Sequence, residues 1–189
     1  MGMKYKIASI TTLLLIWITP LIALPAQVVL FRHAETEEEG KNLSLRGLER
    51  AAALAPYFQG ASKFLQFRLP IVLFAQGVKD ASSTLKSIYT LLPLSYAIGV
   101  TIHTNFLHDQ YMEMAQNIKT NPAFNGKLVI VCWSCDLLAD IASVLGVKPK
   151  PLPWENSVYD RLWVITYKPK GDIEFQDMPQ RLLFGDSAL

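Results

Sequence analysis

Apolar residues along this chain alternate between two spacings. Short unbroken runs such as "QVVLFR" (27–32), "LPIVLFA" (69–75) and "KLVIVCW" (127–133) are rich in valine, isoleucine and leucine. Runs of that length read as buried strands. "VTIHT" (100–104) reads as a further short strand. Between these runs the apolar positions spread to a helical spacing. Leu45, Leu48, Ala52 and Tyr57 mark one helix, with Ser44 as its N-cap. "ASSTLKSIYTLLPLSYAIG" (81–99) reads as a second helix, interrupted near Pro93 and closed by Gly99. "HDQYMEMAQNIKT" (108–120) is a third, and the stretch after Ser134 is a fourth. "RLWVITYK" and "DIEFQ" read as a closing antiparallel pair around Lys170-Gly171. Strands alternating with helices predict an α/β domain, a three-layer α/β/α sandwich around a mostly parallel sheet with antiparallel strands late.

The first 26 residues do not fit that rhythm. Lys4 and Lys6 precede a mostly apolar run from Ile7 to Ile18, then Pro20 and small residues at Ala23 and Ala26. That order is the layout of a secretory signal peptide, with cleavage expected after Ala26 in preference to Ala23. Pro20 limits the apolar run to roughly a dozen residues, short of the ~20 needed to span a bilayer. An uncleaved signal segment is the only membrane attachment the sequence offers. Residues 27–189 are then one exported domain, periplasmic or secreted.

Removing that segment changes the charge. The chain has 18 basic and 16 acidic residues. Residues 1–26 hold two of the lysines and no acid, so the remainder is formally neutral. Nothing in it reads as a nucleic-acid surface. With 51% apolar residues, a full core is expected.

In sheets of this kind ligands sit at the carboxyl ends of the strands. Two strands end in reactive side chains: Arg32-His33, and Cys132-Trp133-Ser134-Cys135. Cys132 and Cys135 are the only cysteines, and an oxidising compartment would leave them free to pair. A Cys-x-x-Cys between strand and helix also suits a thiol–disulfide protein.

"LFRHAET", with strand, Arg-His, small residue and Glu, resembles the histidine phosphatase superfamily, which includes the phosphoglycerate mutase-like enzymes. "LSLRGLERAAAL" is similar to the superfamily's next segment, with Ser44, Gly47, Arg50 and Ala51 in place. "WENSVYDRLWVITY" and "PQRLLFGDS" extend the resemblance, toward small bacterial members, over Val28 to Ser187. The resemblance implies that His33 attacks phosphorus and becomes a transient phosphohistidine. A neutral imidazole suits that step because its ordinary pKa lies near neutrality. It implies that Arg32 holds phosphoryl oxygens through its planar fork. No metal and no cofactor are implied; the partner is phosphate or a phosphorylated small molecule.

Two positions depart from the pattern. A second arginine is expected where Lys86-Ser87-Ile88-Tyr89-Thr90 stands, so Lys86 keeps the charge but loses the fork. A second histidine is expected where the chain reads Cys-Trp-Ser-Cys, so Cys135 takes a phosphate-binding position. A thiol donates only weakly, and a thiolate repels phosphate. Losing one such donor corresponds to roughly 10²–10³ in rate. Asp136 follows Cys135 directly and is the expected general acid. Asp109 is an alternative, equally readable as a favourable charge at a helix start.

The remaining conspicuous residues have structural readings. His103 is expected as a packed or edge residue and His108 as a surface or capping residue, and each is an alternative candidate for the missing histidine. Three scattered histidines lack the spacing of a zinc site. Trp133, Trp154 and Trp163 are expected in the core, and Glu37–Glu39 in a solvated loop. Glu35 either orients the pocket or is solvated, and "PQRLLFGDSAL" packs as a supporting tail. Three functional readings follow: an exported phosphomonoesterase of reduced activity, a pseudophosphatase that keeps only a phosphate pocket, and a thiol–disulfide protein.

Overall fold

The computed structural model describes residues 24–37, 40–60, 71–80, 83–168 and 171–187. The apolar segment 7–18, Glu38, Glu39 and Lys170 lie outside the described residues. In chain order the main elements are β1 (Gln27–Arg32), α1 (Leu45–Gly60), β2 (Ile71–Ala75), α2 (Lys86–Ile98) and β3 (Ile102–His103). There follow α3 (Tyr111–Thr120), β4 (Leu128–Trp133), α4 (Leu138–Val144), β5 (Arg161–Tyr167) and β6 (Ile173–Pro179).

The strands form one sheet in the order β3-β2-β4-β1-β5-β6. β1, β2, β3 and β4 run parallel, while β5 is antiparallel to both β1 and β6. Side chains alternate across a strand, so the two faces are distinct. Val28, Leu30, Val72, Phe74, Val129 and Val131 meet Met114 and Ile118 of α3 and Ile141 of α4. Val29, Phe31, Leu73 and Ile130 meet Leu54 and Phe58 of α1 and Leu91 and Leu94 of α2. The result is the three-layer α/β/α sandwich that the alternation of elements predicts.

Ser44 caps α1 as expected: its Oγ accepts from the Gly47 N–H at 3.1 Å. Gly47 is required there, because a Cβ would collide with the Glu35 carbonyl oxygen. α2 begins at Lys86, and Pro93 lies inside it without interrupting it. Gly99 ends it in the left-handed region at φ 67°, its N–H bonded to the Ser95 carbonyl. His108–Gln110 form a 3₁₀ turn ahead of α3.

Residues 24–26, ahead of Gln27, are bonded to the folded domain. Gly126 N–H donates to the Leu24 carbonyl at 2.9 Å, Ala26 N–H donates to Lys127 O at 2.9 Å, and Tyr167 N–H donates to Ala26 O at 3.1 Å. Pro25 is buried between these contacts. Unpaired backbone groups in the interior are unfavourable, and residues 24–26 satisfy those at this end of the sheet.

Candidate active site

β1 and β4 are adjacent and parallel, with Arg32 in register with Trp133. Past the strand end, the His33 N–H still donates to Trp133 O at 3.3 Å. The helix after β1 packs on one sheet face and the helix after β4 on the other. Adjacent strands whose connections leave to opposite sides open a crevice at their carboxyl ends. The Arg32-His33 and Cys132–Cys135 segments therefore meet across one strand spacing.

His33 is half-buried, and its Nδ1 lies 2.8 Å from the Ala34 carbonyl oxygen. A carbonyl only accepts, so this contact fixes the proton on Nδ1 and leaves the Nε2 lone pair free. Burial lowers the His33 pKa from the ordinary 6.5; the Ala34 bond opposes this, Arg32 and Lys86 reinforce it, and Asp136 opposes it. The imidazole is thus neutral at neutral pH. Lys86 and Asp136 lie close enough to act on it through their fields.

Arg32 is 6% exposed. Its Nη1 donates to the carbonyls of Asn156 at 2.7 Å and Val158 at 3.1 Å. Its guanidinium lies 3.8 Å from the centre of the Tyr159 ring. The loop between α4 and β5 thereby fixes the plane of the fork, and Arg32 Nε is buried without a partner among the described residues. The Tyr159 ring also stands 6.3 Å from that of His33.

Lys86 opens α2. One turn along, Thr90 Oγ1 donates to the Lys86 carbonyl at 2.8 Å and accepts from the Ala34 N–H at 2.9 Å. One hydroxyl thus ties the first turn of α2 to the residue after His33. Thr90 lies in the run that supplies Lys86, but its sequence position alone gives no such role. The contributions of Tyr159 and of the Asn156 and Val158 carbonyls are likewise invisible in sequence, because backbone acceptors carry no residue signature.

The two cysteines are free, and the pairing that their spacing allows is not formed. Cys132 is fully buried on the α1–α2 face beside Ser87 and Thr90. Cys135 begins the turn after β4, with its Sγ 3.8 Å from the Trp154 carbonyl. Burial pushes the Cys132 thiol up to about 12, against the Ser87 and Thr90 hydrogen bonds and Arg32. Burial also raises the Cys135 thiol, with Arg32 opposing and Asp136 adding to the rise. A redox Cys-x-x-Cys depends on an accessible thiolate, which this environment disfavours at both positions.

Asp136 is exposed in the turn that leads into α4. Its Oδ1 accepts from the Ser134 hydroxyl. Its Oδ2 lies 3.5 Å from His108 Nε2. His108 is therefore exposed as expected but has a partner at the site. Asp109 lines a cavity of about 300 Å³ with Gln76 and His108. His103 stays away from the crevice, stacked on Phe74 at the sheet edge with ring centres 4.9 Å apart. Among the described residues no group of three or more His, Cys, Asp and Glu is placed to hold a metal ion.

Glu35 is largely buried and paired with Arg50, not solvated. It accepts from Arg50 Nε at 2.9 Å and Nη2 at 2.7 Å, and Arg50 also donates to both oxygens of Asp186 at 2.8 Å. The tail is thereby locked onto the segment after His33, giving it the supporting position expected.

Three solved structures share this fold. The protein histidine phosphatase SixA, complexed with tungstate, aligns with a TM-score of 0.58 at 14% identity, covering 82% of this chain and 97% of that one. A mutant phosphoserine phosphatase from Entamoeba histolytica, in complex with phosphoserine, aligns at 0.54 and 11% identity, over 84% and 99%. The fold is that of the histidine phosphatases. A mycobacterial glucosyl-3-phosphoglycerate phosphatase with inorganic phosphate aligns at 0.52 and 14% identity, over 81% and 95%. No protein-family model matches the sequence, and no curated protein does. At such identities the shared property is the fold, and what this chain does has to be argued from its own residues.

Proposed function

We propose that this protein is a phosphomonoester hydrolase acting through His33, with turnover lowered by the residues at positions 86 and 135. The observation that carries the reading is the Nδ1 contact of His33 with the Ala34 carbonyl, which presents a neutral Nε2 at the crevice. The Nε2 lone pair forms the N–P bond while the P–O ester bond breaks. Water then cleaves N–P and releases phosphate. Arg32 and Lys86 supply positive charge to the phosphoryl oxygens, where fixed charge is the main catalytic resource. Asp136 belongs to the proton-transfer side of the site. The tungstate, phosphate and phosphoserine bound by proteins of this fold support a phosphate or small phosphorylated ligand.

Cys135 favours a second reading, a phosphate-binding module without turnover. Its thiol is raised by burial and directed at the Trp154 carbonyl, so it replaces a charged donor with a weak neutral one. We further propose export through the first 23 residues. Cleavage after Ala23 spares the bonds of Leu24–Ala26, whereas cleavage after Ala26 removes them.

Hydrolysis of p-nitrophenyl phosphate by residues 24–189 separates the readings. Wild-type turnover that His33→Ala abolishes supports the hydrolase, and Cys135→His should then raise the rate about 10²–10³-fold. Activity in Cys135→His alone supports the binding module. Undiminished activity in His33→Ala rejects His33 as the nucleophile.

A further inference from the structure

We infer that His108, held by Asp136, is the acid–base group that serves the leaving group; the inference rests on phosphoryl transfer to His33. His108 comes from the 3₁₀ turn before α3, a different element from any that carries the phosphate-binding residues. The turn is held at both ends, with the Leu107 N–H donating to Gln110 Oε1 at 2.9 Å and the Gln110 N–H to Leu107 O at 3.0 Å. The Ser134 hydroxyl occupies Asp136 Oδ1, and Oδ2 faces His108 Nε2 at 3.5 Å. Asp136 also acts on His33 through its field, so the three side chains are neighbours at one end of the sheet.

Position in the sheet separates two sides of the site. Arg32 and the loop that fixes it lie toward β5. His108 lies on the other side, over β2 and β3, where it lines the cavity of about 300 Å³ with Gln76 and Asp109. In an in-line displacement the ester oxygen leaves opposite His33 Nε2, and we place His108 on that leaving side, at the mouth of this cavity. The polar cavity beyond has room for a small hydroxylated or amino-bearing alcohol.

In a carboxylate–imidazole pair the carboxylate orients the ring and the imidazole is the group that gives and takes the proton. The Nε2–H of His108 points to Asp136, which leaves Nδ1–H for the substrate. In the first step His33 Nε2 bonds to phosphorus, the ester P–O electrons pass to the leaving oxygen, and Nδ1–H of His108 protonates that oxygen to release the alcohol. In the second step water attacks phosphorus and its proton returns to His108 Nδ1. The N–P electrons go back to His33, and phosphate leaves.

The test compares a phosphorylated alkyl alcohol (glycerol 2-phosphate) with p-nitrophenyl phosphate on wild type, His108→Gln, Asp136→Asn and His33→Ala. Alkoxide is a poor leaving group and needs the proton; p-nitrophenolate does not. His108→Gln should lower kcat/KM about 10²–10⁴-fold on the alkyl ester and less than about tenfold on the aryl ester. Loss of the base in the second step should appear as a p-nitrophenol burst. Asp136→Asn should show the same split. An equal loss on both esters, or no loss on the alkyl ester, overturns the role of His108 while His33-dependent hydrolysis stands. Absence of any His33-dependent hydrolysis overturns this inference together with the function beneath it.

Discussion

At the scale of single residues, Thr90 joins two parts of the site through one hydroxyl. It accepts from the buried Ala34 N–H and donates to the Lys86 carbonyl. Thr90→Val keeps the volume and removes both contacts. Leaving the Ala34 donor unpaired should lower stability by about 1–3 kcal/mol. The same change loosens the peptide that fixes the His33 proton, so kcat should fall while folding persists. Denaturant titration and p-nitrophenyl phosphate kinetics on the variant check this together. Unchanged stability would mean that water reaches the Ala34 N–H. His33 and Arg32 were readable as candidate site residues because "LFRHAET" and the segments after it resemble a known pattern. Thr90 was not, because its function is a contact between segments more than fifty positions apart.

Among the elements, the extension of the fold to Leu24 has the most direct consequence. Three backbone hydrogen bonds connect residues 24–26 to the loop before β4 and to the end of β5. At a net ~0.5–1.5 kcal/mol each, a chain beginning at Gln27 should be about 2–4 kcal/mol less stable than one beginning at Leu24. Thermal melts of the two chains check it, and equal melting temperatures would reject a structural role for the segment. The sequence pattern placed the start at Gln27 because Leu24-Pro25-Ala26 resembles a processing region and breaks the apolar run. In α2, Pro93 reads as an interruption but lies within the helix. Leu91 and Leu94 on either side of it are fully buried against the sheet, and that packing overrides the local preference of proline.

For the whole molecule, Arg50 links α1, the segment after His33 and the tail. Its guanidinium spans Glu35 and Asp186, and the Arg50 and Asp186 side chains are 3% and 2% exposed. Burial alone would raise Asp186; hydrogen bonds from Arg50 and from the Leu183 and Leu182 N–H groups overcome it and hold the carboxyl at about 2 against an ordinary 3.8. Asp186→Asn leaves Arg50 paired with Glu35 alone and removes two charge-assisted hydrogen bonds, and should destabilise by about 1.5–3 kcal/mol at neutral pH. The folded value lies below the unfolded one, so this contribution is complete above pH 3.8 and is lost as the pH falls toward about 2. Chemical denaturation of both proteins across that window should show the gap closing. A gap that stays constant with pH would assign the effect to packing instead of charge.

The sequence by itself determined the layers, the order of strands and helices, and the two strand ends that carry Arg32-His33 and Cys132–Cys135. Those follow from local periodicity, and periodicity is written in neighbouring residues. Only the tertiary structure decided that the cysteines lie apart, with Cys132 against Ser87 and Thr90 and Cys135 at the Trp154 carbonyl. It alone turned Glu35 toward Arg50, extended the domain to Leu24, and brought His108 to Asp136. Each of these is a contact between residues distant in sequence. Such contacts depend on which sheet face a side chain meets and which loop closes over it, and no local pattern records either.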